Sequence, residues 1–280
     1  ERLKKKCEWL LQQYQVNDTI SNILHTLMKF LLVIILAVAF LFLGTLPFIG
    51  LEGLWESGGS KLILAMQTLI LFFANAVYQA KKRSRPYKPW LHKAIYIGIA
   101  LLPILSAISF YGLSLRVEQY GWSLSRCWAF LVWFLLALFS IGYCWNIIKR
   151  KDNWLEALSV TNIRIGWIVI TLLLAVNAPI LDFRKISADS QIDRLENDKV
   201  SYDDFDYRYF RYSLAKPGYD ALQELKVSIT DTHPYIAIKI DSFYVKSETD
   251  DSDDVIKRLI NNIQGINTIV PKSLSDAIFT

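Results

Sequence analysis

Cysteine is scarce in this chain: Cys7, Cys127 and Cys144 are all it has, and no two of them stand at metal-ligand spacing. Cys127 and Cys144 fall at opposite ends of one predicted helix, ~25 Å apart at ~1.5 Å per residue, well beyond the ~7 Å that a disulfide allows. Residues 182–280 have no cysteine. The reading therefore has no place for structural disulfides or zinc. Histidine is equally sparse, and the only one in the last third, His233, stands alone beside Pro234. No Gly-x-Ser-x-Gly elbow, His-Glu-x-x-His helix or phosphate-cradling glycine loop occurs. Asp250, Asp251, Asp253 and Asp254 form an acidic run without the glycine and glutamate of a calcium loop, so they read as solvated. Catalytic residues, metal ligands and cofactors are all expected to be none.

Charge is missing from five stretches, and that shortage is the most informative. Residues 30–51, 62–80, 94–115, 127–148 and 165–181 hold no Asp, Glu, Lys or Arg. Each is close to the ~20 helical residues that cross a ~30 Å hydrocarbon core. In lipid such segments must be helical, because nothing outside the segment can satisfy the backbone. Gln67, Asn75 and Asn177 are notable polar residues inside, with Gln67 and Asn75 expected to hydrogen-bond between helices, and Pro103 is expected to kink the third span.

What charge there is lies between the runs. The stretch Lys81–Lys93, KKRSRPYKPWLHK, carries six Lys or Arg, and segments 1–29, 81–93 and 149–164 together carry fifteen. The alternate connections, 52–61 and 116–126, carry three. Short cytoplasmic loops collect Lys and Arg, so the first set is expected inside and the second outside, with Glu52 and Glu56 on the first outer loop. After five crossings the tail emerges outside. Trp55, Trp122 and Trp128 then fall at the outer interface, and Trp90, Trp145, Trp154 and Trp167 near the inner one, where indole is favoured. Trp133 is expected to pack against a helix or lipid.

Residues 2–16 read as an amphipathic helix with Leu3, Cys7, Leu10, Leu11 and Tyr14 on one face, either along the inner membrane surface or ending an earlier connection. Asn17, Asp18 and Thr19 are expected to cap the next helix. The net charge of +5 divides unevenly: residues 1–181 hold eighteen basic against eight acidic side chains, and 182–280 thirteen against eighteen. Because the basic excess lies beside apolar runs and not on a soluble face, nucleic acid is not an expected partner. The chain starts on Glu1, and further spans or domains are expected beyond its ends.

In the acidic tail, Ser187 is expected to cap a helix running to Glu196, and Asp203 or Asp204 to start another with Phe205, Tyr209 and Tyr212 on one face. Pro217 suits a helix start leading into Ala221, Leu222 and Leu225. Ile236, Ile238 and Ile240 alternate as in a strand, residues 247–253 read as a loop, and Asp254–Gln264 as a helix stopped by Gly265. The fold expected is an α-helical polytopic membrane protein of five spans, with a small α+β or helical extracytoplasmic C-terminal domain. Its domains are 1–26 (interfacial helix and linker), 27–181 (spans) and 182–280.

Three stretches carry a family resemblance. Arg116, Tyr120, Gly121 and Arg126 surround the turn after the third span. Pro179, Ser187, Ser190, Gln191, Arg194 and Leu195 mark the exit from the last, and an aromatic-rich segment leads to Gly218, Ala221 and Leu225. Together they resemble the bacterial membrane-protein family of domain of unknown function 4153, over roughly residues 60–225; the acid-rich region 240–254 departs from it. The resemblance implies a many-span envelope protein with an extracytoplasmic carboxyl region and supplies no activity.

Arg116, Glu118, Tyr120, Arg126, Asn177, Asp182 and Arg184 all fall near the outer surface in this topology. They form a candidate cluster that either docks the tail or binds a lipid headgroup, for which arginine has the bidentate geometry. The expected function is a non-enzymatic scaffold or accessory protein of the bacterial inner membrane, N-terminal side cytoplasmic. Its expected partners are membrane lipids and an envelope protein or a second copy. A transporter or lipid-handling permease is the alternative, weakened because ion coupling places ionisable groups inside spans. A membrane-surface enzyme ranks third.

Overall fold

The computed structural model describes residues 2–50, 59–79, 87–150, 154–178 and 180–244, with side chains from Val16 onward apart from a few at helix ends. Every regular element among the described residues is an α-helix. In order these are α1 (Arg2–Ile49), α2 (Gly59–Gln79), α3 (Pro89–Ala100), α4 (Leu102–Tyr120), α5 (Leu124–Arg150) and α6 (Trp154–Asn177). Then follow α7 (Phe183–Glu196), α8 (Tyr207–Ser213), α9 (Ala215–Ile229) and α10 (Pro234–Ser242). Among the described residues, five segments are long and apolar enough to cross a membrane: Val16–Phe48, Gly59–Tyr78, Pro89–Tyr120, Leu124–Lys149 and Ala157–Asn177.

The bundle is apolar outside and holds polar groups inside. Leu41, Leu62, Trp167 and Leu174 are each about 70% exposed, while Gln67, Ser109 and Ser140 are fully buried. In water this arrangement would be costly; in lipid the outer face loses nothing and the interior polar groups find one another. α2, α4 and α5 pack mutually, α1 lies against α2 and α3, and α6 against α5. Leu32, Ile63, Ile70, Ile99, Leu102 and Leu105 form the apolar core between them.

Pro103 divides the third span where expected. It offers no N–H to the Ile99 carbonyl, and the helix is interrupted at Leu101, whose own N–H still reaches the Ile97 carbonyl at 3.0 Å. Trp133 packs on Phe110 at 4.7 Å between ring centroids and donates to the Ser106 carbonyl at 2.8 Å.

Several expectations are corrected. α1 runs unbroken through Asn17, Asp18 and Thr19, so no separate helix ends there. Weak helix formers cost only about 0.5 kcal/mol each, less than opening a hydrogen-bonded ladder between two helical stretches. The fifth span begins about two turns before the charge-free run 165–181 and ends at Asn177, which brings Thr161, Asn162 and the exposed Arg164 into it. Asp182, not Ser187, caps α7: its carboxylate accepts from the N–H groups of Arg184 and Lys185. Asp206 caps α8, while Asp204 is occupied by Ser201. Tyr207 and Phe210 are buried there with Phe205, and Tyr212 turns outward. The expected strand at Ile236–Ile240 is α10: Ile236, Ala237 and Ile240 share a buried helical face, and Pro234 suits the first turn. Since no partner strand exists among the described residues, the backbone pairs with itself.

Chain contacts divide the molecule into two compact units, Glu1–Ser228 and Ile229–Thr280. α7, α8 and nearly all of α9 therefore belong with the spans. The expectations for Lys81–Arg85, Glu52, Trp55, Glu56, Pro179, 247–253, 254–264 and the Asp250–Asp254 run lie outside the described residues. So do those for the side chains of residues 2–14 and Trp154.

Candidate functional site

Polar side chains within the spans form three interhelical groups. Gln67 on α2 donates through Nε2 to the hydroxyls of Ser106 on α4, at 2.5 Å, and Ser140 on α5, at 2.6 Å. About two turns along α2, the Tyr143 hydroxyl lies 2.8 Å from Asn75 Oδ1 and 2.6 Å from Asn162 Oδ1, and Asn162 donates to Asn75 at 2.6 Å. Asn146 donates to Thr161 beside them. At the Lys88 end, Tyr78 pairs with His92 at 3.0 Å, and the Tyr87 hydroxyl donates to the Lys29 carbonyl at 2.9 Å. Burial pushes the Tyr87 phenol up, which keeps it a donor. The first two groups bind helix to helix through side chains that carry no charge.

The opposite end is organised by the turn Gly121–Ser123. Gly121 takes φ 69°, a conformation that favours glycine, and lets α4 pass directly into α5. A β-carbon there would lie 2.5 Å from Arg194 Cδ and about 3 Å from Gln191 and Ser190. This close approach lets α7 grip the turn. Ser190 Oγ accepts from the Trp122 N–H at 3.0 Å, and Gln191 Nε2 donates to the carbonyls of Tyr120 at 3.0 Å and Trp122 at 2.7 Å. From α8, the Tyr209 hydroxyl accepts from the Leu124 N–H at 2.7 Å and pairs with Ser187 Oγ at 2.8 Å, which donates on to the Trp122 carbonyl. One of the orphan N–H groups at the start of α5 is thus satisfied from a helix 85 residues away in sequence. Gly218 plays the matching part within the tail, since a β-carbon there would lie 2.4 Å from the Phe210 carbonyl oxygen.

The seven charged and polar residues expected as one cluster sort into two groups and an outlier. Arg116 and Arg126 both lie over the Tyr120 ring, with their guanidinium carbons 5.9 and 5.4 Å from its centroid. Arg126 also donates to the carbonyls of Tyr120 at 3.3 Å and Gly121 at 2.8 Å, closing the C-terminus of α4. Asn177, Asp182 and Arg184 border a shallow cavity of about 320 Å³ with Trp128 and Phe183. Asn177 donates to the Leu173 carbonyl of its own helix, and Asp182 is the α7 cap. Glu118 is exposed on α4.

Sequence reasoning missed the residues that do the docking. Ser190, Gln191 and Arg194 stand out in the sequence only as a motif, Ser187 as a motif residue and a mistaken helix cap, and Tyr209 only as one aromatic among several. Asn162 was hidden by the misplaced start of the fifth span. Between α7 and α9 lies a groove of about 800 Å³ with Trp122, Ile192, Ala221 and Leu225 among its lining. Asp189, Asp193, Glu196 and Glu224 border it.

A bundle of membrane-crossing helices, polar within and carrying a hydrogen-bonded helical cap at one end, defines a polytopic α-helical membrane protein. The family described as Domain of unknown function (DUF4153) matches residues 23–225, and the chain belongs to that family. No curated protein and no solved structure matches it. The matched region takes in the Gly121 turn, the docking residues of α7 and Gly218.

Proposed function

We propose that this protein is a non-enzymatic membrane scaffold that holds α7–α9 as a rigid platform on the extracytoplasmic face of a bacterial inner membrane. The platform is offered to an envelope protein or to a second copy of the chain. The observation that carries this reading is the staple at the Gly121 turn, where Ser187, Ser190, Gln191 and Tyr209 occupy four backbone groups of residues 120–124. A cap tied to the spans by its backbone is built to keep one orientation. The acid-bordered groove between α7 and α9 is the surface we assign to the partner. The Gln67 and Asn75 groups favour this reading over a transporter, because their members are uncharged and engaged with one another. The excess of Lys and Arg in segments 1–29, 81–93 and 149–164 supports a cytoplasmic Lys88 end.

Two measurements test this. In a background without Cys7, Cys127 and Cys144, an impermeant thiol reagent on spheroplasts should label Asp203→Cys and spare Lys88→Cys; the reverse pattern overturns the orientation. A photo-crosslinking residue at the exposed Val227 should yield one discrete product of constant mass in intact membranes. A chain that remains monomeric and gives no product removes the scaffold reading.

A further inference from the structure

Arg126 and Arg194 at the Gly121 turn carry positive charge that no acidic side chain answers among the described residues. Arg126 lies in the first turn of α5, at the end where a helix dipole disfavours a cation, and is held there by two carbonyls and the Tyr120 ring. Arg194, from α7, packs its Cδ against the other side of Gly121, and its Nε is buried without a hydrogen-bond partner. Arg116 also lies over the Tyr120 ring, and both Arg116 and Arg194 are close enough to Arg126 to repel it. No ion pair engages Arg126 or Arg194 among the described residues. Carbonyls and an aromatic face supply partial charge only, so like charges gathered in a half-buried place remain costly until an anion joins them.

We propose that Arg116, Arg126 and Arg194 form a binding site for a phosphate group, carried by an anionic phospholipid or by free phosphate. Guanidinium presents paired N–H donors that match phosphate oxygens two at a time, and a lone ammonium does not. The site lies where the spans Pro89–Tyr120 and Leu124–Lys149 meet their connecting turn, the depth at which lipid phosphates are found. The site is independent of the scaffold reading: it requires neither a partner protein nor a particular sidedness.

The test uses the full chain, delipidated in a maltoside detergent, which contains no phosphate. Its melting temperature is followed while inorganic phosphate or phosphatidylglycerol is added, with chloride at matched ionic strength as reference. A rise with phosphatidylglycerol alone identifies the lipid source, and a rise with inorganic phosphate identifies the free anion. In either case Arg194→Gln and Arg116→Gln should weaken the apparent affinity about tenfold, and Arg208→Gln, an exposed arginine on α8, should not. Arg126→Gln is avoided because that side chain also closes α4. No response of the wild-type chain beyond chloride overturns the proposal, whatever the variants do. A response that survives in Arg194→Gln and Arg116→Gln, each checked for its fold by circular dichroism and gel filtration, overturns it as well.

Discussion

Removing one oxygen atom should loosen the cap without disturbing its core. Tyr209→Phe keeps the ring that meets Phe210 edge-on at 6.2 Å and deletes only the hydroxyl. Two groups lose that hydroxyl: the Leu124 N–H at 2.7 Å and Ser187 Oγ at 2.8 Å. Leu124 is half-buried at the start of α5 and has no carbonyl one turn earlier in a helix to accept from it. Ser187 is fully buried but keeps its long bond to the Trp122 carbonyl at 3.4 Å. An unmet buried group costs about 1–3 kcal/mol; taking the low end for each, because one is partly exposed and the other partly satisfied, gives about 2 kcal/mol. At about 1.4 kcal/mol per tenfold, the open state of the turn should become about 30-fold more populated. Hydrogen exchange in nanodiscs reads this directly: amides 122–124 and those of α7 should exchange about 30-fold faster. Amides around Asn75 in α2 should not change. An effect below about threefold on the turn would show that the hydroxyl does not hold the cap and refute the reasoning.

Further substitutions probe separate parts of the argument. Gly121→Ala combines a positive φ with a contact at 2.5 Å from Arg194 Cδ, and should cost about 2–4 kcal/mol by detergent melting. Gly166→Ala, where a methyl meets nothing within 4 Å, should be neutral to slightly stabilising. Gln67→Leu removes the bonds to Ser106 and Ser140 but also a buried Oε1 that has no partner, so the net loss should be about 1 kcal/mol. A loss above about 3 kcal/mol would mean that Gln67 does more than join helices. In a double-mutant cycle, Tyr143→Phe and Asn162→Ala should couple by about 0.6–1.7 kcal/mol; additive effects would show that the 2.6 Å bond contributes nothing.

The spans were legible because lipid makes secondary structure a local matter, and Pro103 could be placed in advance because its missing N–H acts on its own helix. Boundaries were less legible. Charge-free runs locate apolar surface, but α6 begins before its run because Thr161 and Asn162 find partners on other helices, which the run cannot show. The alternation of Ile236, Ile238 and Ile240 misled for a related reason. A period of two indicates a strand only if another strand is there to pair with it, and Ile236 and Ile240 with Ala237 also serve a helix.

The candidate site was half legible. Arg116, Tyr120 and Arg126 could be grouped because the two helices that hold them are joined by a three-residue turn. Asp182 and Arg184 looked like their companions, since charge near one surface is all that topology reports. Hydropathy was enough to pick out the five helices long and apolar enough to cross a membrane, because each such helix must satisfy its own backbone. Only the folded chain decided that Arg194 rather than Arg184 joins Arg126, that Tyr209 completes the start of α5, and that Gln67 faces two serines. Such choices depend on which side chains arrive within about 3 Å of each other from distant parts of the chain, and no local pattern encodes that.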